Sequence, residues 1–162
     1  MSTKTQDTDW ADKIGKPSYE SIVEMVKRLE HCGECNGEDC QLTAQEIFAG
    51  INTYAPKRRK ATEEEIKEYH DEEAARQDID EDPLSLEVRS GWHSPGGEVE
   101  EEEFCLLLGT GGPAVRIVGD LDRGEPSGAR LEVQDWFKPW TEYIPAEQDV
   151  LLTYCRCFYF GD

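Results

Sequence analysis

Three cysteines within nine residues form the part of this sequence that is best suited to chemistry. Cys32 and Cys35 have the Cys-x2-Cys spacing of a knuckle that offers two thiolates to one tetrahedral metal ion, and Cys40 adds a third thiolate. The cluster predicts a structural zinc site with Cys32, Cys35 and Cys40 as ligands, or three reduced cysteines in a connection between helices. A redox pair at Cys32 and Cys35 is less favoured, because no thioredoxin-type βαβ pattern surrounds it.

The fourth ligand of such a site is not apparent from the local sequence. His31 precedes Cys32 directly, and neighbouring residues rarely bind the same ion. A fourth donor would therefore come from elsewhere in the chain. The candidates are His70, His93, Cys105, Cys155 and Cys157.

The sequence contains no established catalytic motif, so we predict that the protein is not an enzyme. A Walker A loop, a dinucleotide fingerprint, a zinc-protease motif and a nucleophile elbow are all missing. The glycine-rich run 109–113 predicts a hairpin turn rather than an anion-binding nest, because no helix or lysine follows it. An undescribed hydrolase that uses His93 as a general base is a minor alternative.

Residues 63–82 form an acidic block with eleven carboxylates and two cations. Thr62, with Glu65 three residues later, predicts a capped helix with a thin apolar stripe and a broad anionic face. Carboxylates four residues apart on a helix lie about 6 Å apart, close to the spacing of phosphates along a nucleic-acid strand. The block predicts either a phosphate-like ladder or an ordinary solvated surface. Its acids are Glu63, Glu64, Glu65, Glu68, Asp71, Glu72, Glu73, Asp78, Asp80, Glu81 and Asp82.

The charge of the chain is distributed unevenly. The total is −19, of which residues 61–162 carry −18 and residues 1–60 carry −1. A second acidic run contains Glu98, Glu100, Glu101, Glu102 and Glu103. Nucleic acid and anionic membranes repel such a chain, so basic proteins or cations are the expected partners.

The order of sequence patterns predicts an α+β fold. Pro17, with Ser18 as the cap, opens a helix over residues 20–30 that ends at His31, and residues 1–16 are expected to be irregular. A second helix starts at Thr43, with Ile47 on its apolar stripe, and is followed by the basic run 57–60. Segment 1–82 is thus expected to be helical.

Segment 83–162 is expected to hold a four-stranded antiparallel meander and a closing helix, in one compact unit with segment 1–82. Alternation of Leu84, Leu86 and Val88 predicts the first strand, and the apolar runs 104–108, 115–118 and 129–136 predict the next three. Spacing over 146–158 predicts the final helix, although a last strand over 155–160 is an alternative. One face of the sheet should pack on helices.

Aromatic residues concentrate after the last predicted strand. Trp136 and Trp140 could form the edge of the core, or they could anchor a protein partner. This second option makes the protein a zinc-stabilised adaptor, in which the acidity serves solubility. The N-terminal residues lack the apolar segment of a signal peptide, so we expect a cytoplasmic protein with reduced thiols.

The second half resembles a family of small acidic proteins carried by bacterial mobile elements and prophages. The resemblance covers residues 84–161 and rests on the stretches 90–92, 106–122, 129–143 and 151–161. It implies a bacterial host cytosol and brings no catalytic residues. By analogy with acidic anti-CRISPR and antirestriction DNA mimics, the expected function is to block the nucleic-acid-binding surface of a CRISPR effector or restriction enzyme.

Overall fold

A computed structural model describes residues 9–38, 40, 42, 47 and 62–161 of the chain. The helices among these residues are α1 (Asp9–Glu34), α2 (Glu63–Tyr69), α3 (Glu72–Glu81) and α4 (Gln148–Cys155). The strands are β1 (Ser85–Ser90), β2 (Glu101–Gly109), β3 (Ala114–Asp122), β4 (Glu125–Gln134) and β5 (Thr141–Glu142). The predicted α+β class is confirmed, with five strands in place of four. None of the described helices combines the length and the apolar character that crossing a membrane requires.

The strands form one antiparallel sheet in the order β1-β2-β3-β4-β5. Leu106, Ile117 and Leu131 lie opposite one another on adjacent strands, and all three are fully buried. This apolar face packs against α1 and α4, whose buried residues include Ile22, Val26, Leu151 and Tyr154. The prediction that one face packs on helices is therefore confirmed.

The first helix begins earlier than the sequence predicted. Residues 9–16, which were expected to be irregular, belong to α1, and Pro17 lies inside the helix instead of opening it. The reason is tertiary packing, because Ala11 and Gly15 are buried and Ile14 packs against the core. That burial outweighs the hydrogen bond that proline removes from the helix. The helix also extends past His31 to Glu34.

The acidic block forms two helices instead of the single helix that was predicted. The cap is confirmed, because Thr62 Oγ1 accepts a hydrogen bond from the backbone N–H of Glu65. The helix then ends at Tyr69, and the Asp71 side chain accepts hydrogen bonds from the N–H groups of Glu73 and Ala74 to begin α3. The predicted helix after Thr43 and the basic run 57–60 lie outside the described residues, except for the buried Ile47.

The remaining differences concern strand and helix ends. The β3–β4 turn contains only Arg123 and Gly124, both with positive φ, as a two-residue type I′ hairpin requires. Trp136 lies beyond β4, and residues 141–142 add the short fifth strand that was predicted to be loop. The closing helix spans only Gln148–Cys155, and no strand follows it among the described residues up to 161.

Candidate functional site

The candidate site lies where the C-terminal ends of α1 and α2 meet. His31 is in the last turn of α1, and the N–H of Cys35 continues the helical pattern by donating to the carbonyl of His31 at 2.8 Å. His70 is the C-terminal cap residue of α2. Cys40 comes from the segment that follows α1. Two helix ends and one loop therefore supply four side chains with metal-binding atoms.

The four donor atoms of His31, Cys35, Cys40 and His70 all lie within 4.8 Å of one another. The Nε2 atoms of the two histidines are 3.1 Å apart, and Cys40 Sγ is 3.4 Å from His31 Nε2. In a tetrahedral zinc site with two nitrogen and two sulfur ligands, bond lengths of about 2.0–2.3 Å place the ligand atoms roughly 3.3–3.8 Å apart. The arrangement therefore could hold a metal ion with only small adjustments.

Hydrogen bonds around the cluster orient its ligand atoms. His70 Nδ1 lies 2.7 Å from the carbonyl oxygen of Ile66, which can only accept, so Nδ1 carries the proton and the lone pair of Nε2 faces the cluster. The N–H of Gly37 donates a hydrogen bond to Cys35 Sγ at 3.4 Å. Gly37 adopts a φ of 94°, a backbone conformation that residues with a side chain rarely adopt.

The protonation of His31 also suits metal binding. Its pKa is lowered from the usual value, chiefly by burial and then by the nearby His70, with Glu34 acting in the opposite direction. A lowered pKa favours the neutral imidazole, which is the form that binds metals. The buried Tyr69 ring lies beside both imidazoles, and burial raises the pKa of its hydroxyl to about 12.

The structure places Cys32, which was predicted to be a ligand, outside this cluster. Its thiol donates to the carbonyl oxygen of Tyr69 at 3.0 Å. Burial raises the pKa of Cys32, and a protonated thiol is a poor ligand. His31 occupies the position expected for Cys32, and His70 is the distant candidate that the fold brings in. The other distant candidates, His93, Cys105, Cys155 and Cys157, do not join the group that the described residues form.

A buried arginine holds the acidic helices beside the cluster. Arg28 is only 1% exposed, and its guanidinium donates to the carbonyl oxygens of Glu68 and Tyr69 and to the carboxylate of Asp78. The distances are 2.7 Å to Glu68, 3.2 Å to Tyr69 and 2.5 Å to Asp78. Arg28 thus caps the last turn of α2 and ties α3 to α1. Nothing in the sequence pattern indicated this role.

Several acids of the predicted binding surface have structural partners. Asp71 caps α3, Glu72 pairs with Arg76, and Glu81 accepts a hydrogen bond from Gln77. Asp82 accepts a 2.6 Å hydrogen bond from the Tyr154 hydroxyl. Burial raises the pKa of Asp82, and the hydrogen bond from Tyr154 partly offsets this.

With the exception of Glu65, the other acids of the block make no side-chain hydrogen bond or ion pair with the described part of the chain. The i,i+4 spacing of Glu64 and Glu68 puts them on one face of α2, about 6 Å apart. Glu73 and Asp80 are two turns apart on α3. Glu65, in contrast, is only half exposed. The exposed set is Glu63, Glu64, Glu68, Glu73 and Asp80.

The second acidic run lies at the other end of β1 from α3. Glu101 is opposite Ser90, whereas Asp82 lies just before Ser85, so the length of β1 (about 17 Å) separates the two runs. Glu103 pairs with Arg89, and Glu102 packs against Gly91 so closely that a Cβ there would collide with its carboxylate. The two runs therefore do not form one continuous row.

The two predicted anchor tryptophans have different surroundings. Trp136 is 68% exposed, and its neighbour Phe137 is fully exposed with a φ of 61°, a conformation that aromatic residues seldom adopt. Trp140 is half-buried beneath the guanidinium of Arg116, which lies 3.9 Å from its ring centre. The exposed aromatic pair is therefore Trp136 and Phe137.

His93 lies in the β1–β2 connection and is exposed. It lines a shallow depression together with Glu98, Glu100 and Glu102, and its Nδ1 is 3.1 Å from the carbonyl oxygen of Ser94. The run 109–113 connects β2 to β3 as the predicted hairpin turn.

Comparison of the chain with models of protein families, with curated proteins and with solved structures finds no match.

Proposed function

We propose that this protein is a zinc-stabilised, non-enzymatic binding protein whose acidic helices occupy a basic, nucleic-acid-binding surface of a partner protein. The observation that carries the proposal is the cluster of His31, Cys35, Cys40 and His70, with donor atoms within 4.8 Å of one another beside the acidic helices. Two thiolates and two imidazoles form a ligand set that suits zinc and structural sites.

Zinc at this cluster would fix the end of α2 to the end of α1. Few apolar contacts do this otherwise, because the buried residues of α2 and α3 are only Tyr69, Ala75 and Ile79. The acids of the block repel one another, which disfavours a compact arrangement. A metal ion and Arg28 would together hold the two helices in one orientation, and a fixed orientation lowers the entropy cost of binding a partner.

The exposed carboxylates support an electrostatic mode of binding. Glu64 with Glu68, and Glu73 with Asp80, form two short anionic rows on successive helices in place of one long ladder. Such rows attract lysines and arginines and speed the encounter with a basic surface, and salt weakens both effects. A surface that normally binds phosphates fits this description.

The resemblance of residues 84–161 to proteins of mobile elements suggests which partner this is. A CRISPR effector or a restriction enzyme of a bacterial host presents a basic channel for nucleic acid. We therefore propose inhibition of such a complex by steric and electrostatic blocking in the host cytosol, with no chemical step.

The test is capture of partners from a bacterial lysate at low salt, followed by a salt step and mass spectrometry. One variant carries Glu64→Lys, Glu68→Lys and Glu73→Lys. The control carries Asp122→Lys, Glu125→Lys and Glu142→Lys, so both variants have the same net charge, and the control residues are also exposed. We expect wild type and control to retain a nucleic-acid-binding protein that salt releases, and the first variant to lose it. Equal retention by both variants would contradict the proposal.

A second candidate function rests on the exposed pair Trp136 and Phe137. An adaptor that docks through these aromatic side chains would bind in high salt, and Trp136→Ala would weaken it, as at other aromatic anchor sites. Trp140→Ala would instead remove a contact within the chain, because the Trp140 ring stacks on Arg116. Partners that survive the salt step but are lost from Trp136→Ala would favour the adaptor.

A further inference from the structure

Strand β1 forms one edge of the described sheet and is exposed from Ser85 to Arg89, with Ser90 half-buried. Its only strand neighbour among the described residues is β2, and none of its six residues is buried. An edge strand presents a row of backbone N–H and C=O groups that can pair with another strand. Such edges are normally protected or used for binding.

An apolar row along β1 extends beyond the core. Leu86 and Val88 lie opposite the buried Leu106 and Phe104, so they belong to the apolar face of the sheet. Leu84, Leu86 and Val88 are nevertheless 62%, 38% and 39% exposed, and Trp92 further along is fully exposed. This row extends the apolar face of the sheet beyond the part that the helices cover.

The opposite face of β1 carries two charges of opposite sign, Glu87 and Arg89. A strand that is protected from pairing by charge would carry like charges, which repel a second copy. Here the two signs alternate on one face, so the strand is complementary to itself in an antiparallel arrangement.

We propose that β1 pairs with β1 of a second copy of this chain, antiparallel and centred on Val88. In this register Glu87 of each copy lies opposite Arg89 of the other, and Val88 faces Val88. Leu84 of each copy then lies opposite Trp92, if the pairing continues past Ser90. The two sheets become one sheet of ten described strands, with both apolar faces on the same side.

Two constraints select this register. Side chains alternate between the two faces of a strand. The apolar faces of the two copies therefore lie on the same side only if the numbers of two opposed residues differ by an even number. A pairing centred on Glu87 or on Arg89 would place two like charges opposite each other. A pairing centred on Val88 places Glu87 of each copy opposite Arg89 of the other. The irregularity in the β1–β2 ladder does not interfere, because its extra residue is Glu102 on β2.

The association should be weak. Each copy carries a charge of −19, which opposes association at low salt, and a six-residue strand gives an interface at the small end of the usual range. We expect a dissociation constant on the order of 10 µM at physiological salt. The proposal does not depend on the function proposed above.

The test is sedimentation velocity over a range of concentrations with charge-swapped variants. We expect Glu87→Arg alone and Arg89→Glu alone to weaken the dimer at least tenfold, since each opposes like charges. The double variant Glu87→Arg/Arg89→Glu should dimerise again. An equimolar mixture of the two single variants should form a heterodimer, because one chain then carries two acids at positions 87 and 89 and the other carries two bases there.

The mixing experiment also controls for damage to the fold. Arg89 pairs with Glu103 in its own chain, so Arg89→Glu could disturb the sheet edge. A misfolded variant would not associate when mixed with its counterpart. A wild-type protein that stays monomeric at several times the expected dissociation constant would overturn the proposal. A dimer that tolerates both single swaps, or single variants that lose the dimer without recovering it on mixing, would do the same.

Discussion

The side chains of the adjacent residues His31 and Cys32 have different surroundings. His31 Nε2 is 3.1 Å from His70 Nε2, whereas the Cys32 thiol donates to the carbonyl oxygen of Tyr69. Only one of two neighbouring helical residues can face a given point. The candidate site therefore contains two histidines and two cysteines, whereas the sequence predicted three cysteines and an unknown fourth ligand.

This difference predicts the effect of two serine substitutions on metal binding. Cobalt(II) replaces zinc as a spectroscopic probe, and thiolate ligands give it a charge-transfer absorption. We expect Cys35→Ser to lower metal affinity by more than the roughly 10–100-fold typical of outer-shell changes. The matched change Cys32→Ser should leave both the absorption and the stoichiometry unchanged. Loss of the thiolate absorption in Cys32→Ser but not in Cys35→Ser would contradict the assignment.

The sequence could predict half of this ligand set directly. Cys35 and Cys40 were predicted, and His70 was one of several distant candidates. His31 was not predicted to be a ligand because it precedes Cys32 directly, and neighbouring residues rarely bind the same ion. The helix in fact runs to Glu34, so His31 and Cys35, four residues apart, lie on one face. The assignment of Cys32 as a ligand thus concealed His31 as a candidate ligand.

Arg28 shows what the sequence could not indicate. Its partners are two backbone carbonyls and Asp78, fifty residues away. Backbone carbonyls leave no trace in the sequence, and a charged residue near the apolar stripe of α1 looks like a solvated one. The role depends on contacts between α1 and the helices α2 and α3, which lie about forty to fifty residues away in the chain.

Among the secondary-structure elements, α1 differs most from its prediction, because its N-terminal half packs against residues that are distant in the sequence. Gly15 lies against the ring of Tyr143, which comes from the opposite end of the chain. Periodicity alone predicted only the region after Pro17, since a proline normally begins or breaks a helix. The three longer strands after β1 were predicted because each alternates or is continuously apolar. β5 has only two residues, too few to show a period.

The contact of Gly15 with Tyr143 predicts that Gly15→Ala destabilises the protein, although the same substitution stabilises most helices. Within a helix, Gly→Ala normally stabilises by up to about 1 kcal/mol. A Cβ at Gly15 would lie 2.6 Å from the Tyr143 ring, and overpacking costs about 1–3 kcal/mol. We therefore expect Gly15→Ala to lower the free energy of unfolding by about 1 kcal/mol, measured by urea denaturation with an unchanged m-value.

Gly33 is the matched control in the same helix. Among the described residues, nothing lies within 4 Å of a Cβ at this position. Gly33→Ala should therefore leave stability unchanged or raise it by a few tenths of a kcal/mol, less than the full propensity because the position is near the helix end. A stabilised Gly15→Ala variant would show that α1 does not pack on Tyr143 in this way.

The break between α2 and α3 changes the charge pattern at the level of the elements. A continuous helix over 63–82 would have presented one anionic face, but the Asp71 cap turns the chain and separates two short rows. Asp is a favoured N-cap residue of helices, so the local sequence at Asp71 encodes the break. The high helical propensity of the surrounding residues concealed it.

Across the whole molecule, about half of the net negative charge lies on residues 63–82, the described part of the chain with few buried apolar residues. The sheet, α1 and α4 share one core, whereas α2 and α3 add only three buried residues between them. Regions with few buried contacts open at low free-energy cost. The acidic helices should therefore depend on Arg28 and on the metal more than the sheet does.

Hydrogen exchange with and without metal tests this central claim most directly. The protein is loaded with one equivalent of zinc, and amide exchange is followed by mass spectrometry before and after chelation, with metal content measured in both samples. We predict that amides of Glu63–Glu81 exchange faster after zinc is removed, because the end of α2 loses its attachment to α1, whereas those of β2, β3 and β4 keep their protection. A protein that binds zinc but shows the same protection of Glu63–Glu81 in both samples would contradict the account, and so would a protein that binds no zinc.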